Sequence, residues 1–183
     1  MTEEHANDRT VVGAQLGRHP RGMVGVAWRC PCGQPGVALT APRLPDGTPF
    51  PTTYYLTCPN AVLACSRLEA SGLMADMNTR LADDPALAVQ YAWAHEAYLA
   101  DRARLGEVPE IAGVSAGGMP DRVKCLHALV GHALAAGKGV NPFGDEALAA
   151  IGAFWEPDCS ARRLPHDLPT RRRGGRPSSG GTP

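Results

Sequence analysis

Met23-Val-Gly-Val-Ala-Trp28 and Gly36-Val-Ala-Leu-Thr40 are two short segments with the composition of β-strands, and the turn Cys30-Pro-Cys-Gly-Gln-Pro35 separates them. Turn residues between two such segments predict a β-hairpin. A proline-rich loop follows, and Thr52-Thr-Tyr-Tyr-Leu-Thr57 predicts a third strand. The region therefore predicts a small antiparallel three-stranded sheet over about residues 23–58.

The chain after Pro59 changes to a helical spacing of apolar residues. Four helical stretches follow, over Val62 to Leu81 with a break at Gly72, Asp84 to about Leu105, Asp121 to about Ala136, and Asp145 to about Trp155. Asp84 before Pro85 is typical of a helix start, since it supplies an N-cap and a proline at the first helical position. Strands followed by helices predict an α+β fold, with a helical layer over about residues 60–155 on one face of the sheet.

The length of 183 residues fits one domain with tails. We expect a flexible N-terminus over residues 1–20, a single α+β domain over 21–158 and a disordered basic tail over 159–183. The tail is rich in glycine, proline and serine and carries six arginines against Asp167. No aromatic residues lie between these arginines, so we expect no specific nucleic-acid binding.

The first eight residues are polar and acidic, which is unlike a secretory signal, and no apolar run is long enough to span a membrane. We therefore expect a cytoplasmic protein without membrane insertion. In that compartment the six cysteines are expected to be thiols, metal ligands or catalytic groups. The sequence contains no complete nucleotide loop, hydrolase elbow or HExxH helix, so it defines no reaction and leaves open whether the protein is an enzyme.

Two cysteines end predicted strands. Cys30 follows the first strand and Cys58 follows the third. Because the first and third strands of an antiparallel meander run in the same direction, we expect the two thiols to be neighbours. Thiolates are ligands of zinc and of iron–sulfur clusters, so the pair predicts a metal site. Packing in the core is the alternative, since free cysteine is often buried, and it is the interpretation for Cys65.

Four runs of the sequence resemble a bacterial family catalogued as domain of unknown function 501. They are Arg29-Cys30, Pro42-Arg-Leu-Pro-Asp-Gly-Thr-Pro-Phe-Pro-Thr-Thr-Tyr-Tyr-Leu-Thr-Cys-Pro59, Ser66-Arg-Leu-Glu69 and Lys124-Cys-Leu-His127. The resemblance covers about Val24 to Trp155. It implies no established activity, and a setting near septum-formation initiator and exopolyphosphatase genes. It also implies that Cys30, Cys58, Cys125 and His127 are the matching positions.

These four positions form a Cys3His set, and we predict that Cys30, Cys58, Cys125 and His127 bind zinc or an iron–sulfur cluster. On a regular helix Cys125 and His127 would lie roughly 200° apart, so both reach one metal only at a frayed first turn. Otherwise the partner of Cys125 is His132, on the same face. The interval from Cys30 to Cys32 is one residue shorter than in a usual zinc knuckle, which leaves the role of Cys32 open.

Two other functions stay open. The first is a thiol- or phosphate-handling enzyme centred on Cys125 and His127, with Arg43, Arg67 and Lys124 as the residues that would bind an anionic cofactor or substrate. The second is a metal-free adaptor that binds an unknown protein partner, linked to cell division or polyphosphate metabolism. The two differ from the metal hypothesis in a simple way, because only the latter requires metal-ligand atoms to converge.

Overall fold

A computed structural model describes residues 3–155 of the chain. In order, its elements are α1 Glu3–Leu16, β1 Met23–Arg29, β2 Pro35–Thr40, β3 Tyr54–Leu56, α2 Pro59–Ala70, α3 Leu73–Asp83, α4 Pro85–Ala103, a 3-10 turn Pro109–Ile111, α5 Leu126–Ala136 and α6 Pro142–Ile151. The predicted basic tail over 159–183 lies outside this range. Within it, no helix has both the length and the apolar character needed to cross a bilayer.

The predicted sheet is confirmed. The three strands pair antiparallel in the order β1-β2-β3, with Val26 opposite Ala38 and Ala38 opposite Tyr55. Helices α2 to α6 follow the sheet in sequence, so the fold is α+β as predicted. The strand order brings the C-terminal ends of β1 and β3 to the same end of the sheet, one on each side of β2.

Alternate residues of β2 point to opposite faces of the sheet. Val37 and Leu39 face the main core, which α2 to α6 complete with residues such as Met77 and Leu129. Ala38 faces the other side, where it packs with Val12 of α1. Each face is therefore covered by helix.

Helix α1 differs from the expectation of a flexible N-terminus and of helices on one face only. Val12 of α1 is fully buried, and the Arg9 guanidinium donates to the Met23 carbonyl at 2.7 Å. The buried Asp8 carboxylate receives two bonds from Arg29, at 2.7 and 3.0 Å. These contacts depend on residues of β1, and a local apolar period in the first ten residues is absent, which is why the sequence did not indicate the helix.

The predicted break and start in the helical layer are confirmed. Gly72 has φ +90° between α2 and α3, a conformation that favours glycine. The Asp84 carboxylate accepts from the N–H groups of Ala86 and Leu87, and Pro85 takes the first position of α4.

Helix α5 begins at Leu126, five residues later than the predicted start at Asp121. The backbone before it is committed to tertiary hydrogen bonds, so it is not available for a helical ladder. Asn78 bonds both the N–H and the carbonyl of Val123, and the Lys124 N–H donates to the Gly117 carbonyl at 2.7 Å. The last helix also differs, since it begins at Pro142 rather than Asp145.

Helices α5 and α6 pack at very short range through Gly144. The Asn141 side chain caps α6 by accepting from the Gly144 N–H at 2.9 Å. A Cβ atom at Gly144 would lie 2.4 Å from the Leu129 carbonyl oxygen and 2.8 Å from the Ala133 Cβ. Glycine at this position therefore allows α6 to lie directly on α5.

We predict that Gly144→Ala lowers the free energy of unfolding by about 1–3 kcal/mol, because the new methyl group would push α6 away from α5. Urea unfolding followed by circular dichroism measures this change. Gly13→Ala is the matched control, since a Cβ there meets only ordinary contacts, the nearest at 3.5 Å from Pro20. It should raise stability by about 0.5–1 kcal/mol through helix propensity. Equal effects of the two substitutions would contradict the packing argument.

Candidate functional site

Three potential metal ligands converge where α2 meets the start of α5. The Glu69 carboxylate, the Cys125 thiol and the His127 imidazole each offer one ligand atom, and these atoms all lie within 4.8 Å of one another. In the described residues 3–155, this cluster is the group of three or more histidine, cysteine, aspartate or glutamate side chains that could hold a metal ion. Each of the three residues is half-buried.

Cys125 and His127 meet because the helix starts between them. Cys125 is the N-cap of α5, with extended angles of φ −152° and ψ 112°, and Leu126 is the first helical residue. The separation of roughly 200° expected on a regular helix therefore does not apply. The Cys125 Sγ lies 3.9 Å from the His127 Nδ1.

The His127 ring is held from both sides by α2. Its Nδ1 lies 3.0 Å from the Glu69 Oε1. Its Nε2 lies 3.1 Å from the Val62 carbonyl oxygen and 3.3 Å from the Ser66 Oγ, which itself donates to the same carbonyl. Because a carbonyl oxygen only accepts, Nε2 carries a proton.

The surroundings of His127 also favour a second proton, on Nδ1. The pKa of His127 is raised to about 9, mainly by the hydrogen bond with Cys125, while partial burial opposes the rise and Glu69 adds to it. Without a metal the ring is therefore an imidazolium that faces a thiol and a carboxylate.

Glu69 is the site residue that the sequence did not predict. Its Oε1 accepts from the Leu126 N–H at 2.7 Å as well as facing His127, so it joins α2 to the start of α5. The sequence does contain a signal. Val62, Ser66 and Glu69 are spaced four and three residues apart, so they share one helical face, and all three contact His127.

A cleft of about 630 Å³ opens beside this cluster. Cys125 and His127 form part of its wall, and most of the remainder is apolar, with contributions from β3, α2 and the end of α1. This volume is within the range of small-molecule pockets. Glu69 is not among the residues that line the cleft.

Cys30 and Cys58 do not belong to the group of converging ligand atoms found in the described part of the chain. Both are buried in the main core. They lie around Gly36, whose carbonyl accepts from the Cys58 N–H at 3.2 Å and whose Cβ position would be 3.5 Å from the Cys30 nitrogen. The structure thus brings together Cys125 and His127 of the predicted set, and adds Glu69.

The predicted anion-binding residues do not line the cleft. The Arg43 guanidinium bonds the Glu110 carboxylate at 2.7 and 2.8 Å and the Gly47 carbonyl at 2.7 Å. Arg67 and Lys124 are exposed.

His132 and Cys65 are structural. The His132 ring is fully buried, stacks on Tyr54 with centroids 5.7 Å apart, and accepts from the Asn141 side chain at 3.2 Å. Burial lowers the pKa of His132 to about 4. Cys65 is fully buried, as its interpretation as a core residue predicts, and burial raises its pKa to about 12.

A family model described as a protein of unknown function (DUF501) matches residues 26–149. The chain belongs to the DUF501 family. No curated protein and no solved structure matches this DUF501 chain. Glu69, Cys125 and His127 all lie inside the matched range.

We predict that His132 lowers the stability of the DUF501 chain as the pH falls from about 6.5 to 4. Over this range the ring binds a proton in the unfolded chain but not when it is buried in the folded one. The part of this loss due to His132 between pH 7 and pH 5, measured as the difference between wild type and His132→Gln, should be about 2 kcal/mol. The raised pKa of His127 opposes the loss equally in both proteins. Urea unfolding of wild type and His132→Gln at both pH values measures the difference. The glutamine variant should lose this acid sensitivity, whereas a change at the exposed His19, His19→Gln, should keep it. Equal pH dependence in wild type and His132→Gln would refute the assignment.

Proposed function

We propose that this protein binds zinc through the Glu69 carboxylate, the Cys125 thiolate and the His127 Nδ1, with an open coordination position toward the cleft. The observation that carries the proposal is that three different donor atoms lie within 4.8 Å of one another, on the side of His127 away from its anchored Nε2. The proposal keeps two residues of the predicted Cys3His set and replaces Cys30 and Cys58 by Glu69.

The distances between donor atoms suit a tetrahedral zinc ion. Zinc bond lengths give an N–O edge of about 3.3 Å and an N–S edge of about 3.6 Å. The corresponding distances are 3.0 Å from His127 Nδ1 to Glu69 Oε1 and 3.9 Å to Cys125 Sγ. Small side-chain movements would bring all three atoms to ligand distance.

The hydrogen bonds around the three residues also suit a metal site. A metal-binding histidine usually donates its other N–H to a carbonyl or carboxylate, and the Val62 carbonyl accepts in this way at 3.1 Å. The Leu126 N–H orients the Glu69 carboxylate. A nucleophile–base–carboxylate relay would instead need the sulfur and the carboxylate on different ring nitrogens, whereas here both approach Nδ1.

The mixture of donors favours zinc over an iron–sulfur cluster. Zinc accepts sulfur, imidazole nitrogen and carboxylate oxygen, while cluster irons are held mainly by several thiolates. Zinc sites with three protein ligands keep a position for water or substrate, and bound zinc supplies Lewis-acid chemistry there. Cys125 and His127 line the cleft of about 630 Å³, and we place the open position on that side.

We predict near-stoichiometric zinc in the protein purified from minimal medium with added zinc, and loss of about 100-fold or more in affinity in Cys125→Ser, His127→Gln and Glu69→Gln. Elemental analysis and competition with a chelator of known affinity measure this. Glu69→Gln keeps an oxygen for the Leu126 N–H, so a metal loss there reports ligation more than folding.

Cys58→Ala is the discriminating control. Retention of zinc in this variant, with loss in Glu69→Gln, supports the Glu69 site. Loss of zinc in Cys58→Ala with retention in Glu69→Gln would instead support the Cys3His set. Iron with acid-labile sulfide would indicate an iron–sulfur cluster. Metal-free wild type that folds and melts cooperatively would overturn the proposal.

A second candidate is a metal-free reactive thiol at Cys125. The observation that favours it is the position of the Cys125 Sγ 3.9 Å from the His127 Nδ1, on a ring whose pKa is raised to about 9. A positive ring beside the sulfur, together with the N-terminus of α5, would stabilise negative charge on a nucleophilic sulfur.

For this candidate we predict that iodoacetamide alkylates Cys125 of metal-free protein at pH 7 at least about 10-fold faster than the half-buried Cys32, and that His127→Gln removes the difference. Peptide mass spectrometry over time measures both rates. Equal rates at the two thiols would exclude a reactive Cys125.

The adaptor alternative and its link to cell division or polyphosphate metabolism stay predictions. Exposed Val89 and Trp93 lie four residues apart on α4, on a surface that could contact a protein partner. A metal-free protein with an unreactive Cys125 would favour the adaptor alternative.

A further inference from the structure

In the described wall of the cleft beside the proposed zinc site, His127 is the titratable side chain that carries a charge without a metal, and its ring would be neutral when Nδ1 binds zinc. Among the described residues, the lining of the cleft contains no aspartate, glutamate, lysine or arginine. Much of the apolar surface comes from Leu16, Leu56, Val62 and Leu63. A charged ligand would have to bury its charge without a partner, which is strongly unfavourable. The ligand body must therefore be neutral and mainly apolar.

The proposed zinc site itself is balanced in charge. A divalent cation with the Glu69 carboxylate, the Cys125 thiolate and a neutral His127 ring has no net charge. A neutral or singly charged metal-binding group on the ligand fits such a centre, whereas a multiply charged phosphate has no further cation in the cleft wall to pair with.

One part of the wall is polar and lacks partners. The Gln15 side chain donates through Nε2 to the Pro35 carbonyl at 2.8 Å, but its Oε1 has no partner among the described residues. The Thr57 hydroxyl also lacks a partner there, although Thr57 is only 1% exposed. The Thr57 N–H donates to the carbonyl of Gly36, next to Pro35, so Thr57 and Gln15 contact adjacent residues of β2.

We infer that the cleft binds a neutral, mainly apolar acyl or alkyl compound with a metal-binding group at one position and a hydroxyl or amide N–H at another. The metal-binding group meets the zinc, and in this respect the inference rests on the proposed function. The second group donates to Gln15, whose Oε1 only accepts, and pairs with the Thr57 hydroxyl, which both donates and accepts. After small rotations of the two side chains, a ligand of this class would satisfy two buried oxygens that have no partner among the described residues.

The test uses full-length cobalt-substituted protein, because the visible spectrum of cobalt reports both metal binding and ligand binding at the metal. Acetohydroxamate, hexanohydroxamate, a series of ω-hydroxyalkanohydroxamates and the monohydroxamate of adipic acid are the probes. Hexanohydroxamate should bind about 10-fold or more tightly than acetohydroxamate, since its chain buries apolar surface. The adipic compound should bind at least about 10-fold more weakly than hexanohydroxamate, because its carboxylate finds no cation.

Thr57→Val tests the polar region, and Thr53→Val is the matched control. Both threonines are buried with a hydroxyl that has no partner in the described part of the chain, but of the two only Thr57 lines the cleft. Both variants should fold at least as stably as wild type. One length of ω-hydroxy probe should bind wild type and Thr53→Val more tightly than hexanohydroxamate does, by about 5-fold or more, and Thr57→Val should lose this preference.

Equal affinities for the short and long hydroxamates, tighter binding of the adipic compound, or no hydroxyl preference at any length would overturn the inference while cobalt binding stands. Failure to bind cobalt would overturn the proposed function instead. The 1-alkanols and α,ω-diols of the same lengths would then be titrated calorimetrically into the metal-free chain. Affinity that rises with chain length, together with loss of the diol preference in Thr57→Val, would support the cleft inference. The absence of either result would overturn it.

Discussion

The contact of the Glu69 carboxylate with the start of α5 is the constraint on which the site depends. One oxygen, Oε1, accepts from the Leu126 N–H at 2.7 Å and lies 3.0 Å from His127 Nδ1. An exposed helix N-terminus leaves such N–H groups to water, and here a side chain from another helix occupies one of them. The same contact fixes Cys125 as the N-cap and Leu126 as the first residue of α5. The capping of the backbone and the placement of the side chains therefore have one cause.

That arrangement requires the segment before α5 to stay non-helical, and its anchor is Asn78. The Asn78 amide accepts from the Val123 N–H and donates to the Val123 carbonyl, both at 2.8 Å. A helix starting at Asp121 would place Cys125 and His127 on different sides. Asn78 therefore acts on the site from α3, and its two bonds keep Cys125 at the N-cap, from where its sulfur reaches the His127 ring.

The sheet, the break at Gly72 and the Asp84 start were predictable because local signals determine them: β-branched segments, a left-handed glycine and a capping carboxylate before proline. Half of the predicted metal set also falls in the converging group. The start of α5, the burial of α1 and the role of Glu69 were not predictable in the same way, since each depends on a residue far away in sequence. Asn78 and Val123 are 45 residues apart, and Glu69 and His127 are 58 apart.

Residues from two parts of the chain form the cleft and the proposed metal site beside it. The proposed ligands Glu69, Cys125 and His127, with most of the cleft wall, lie inside residues 26–149 that match the DUF501 model. Gln15 and Leu16 lie outside it, on a helix that is held to the sheet by the Asp8–Arg29 ion pair and the Arg9 bond to Met23. Because the Gln15 amide reaches the cleft only while α1 covers that face, metal binding and recognition of a hydroxyl or amide group have separate structural requirements. Loosening α1 should thus affect the choice of ligand while leaving the contacts around His127 in place.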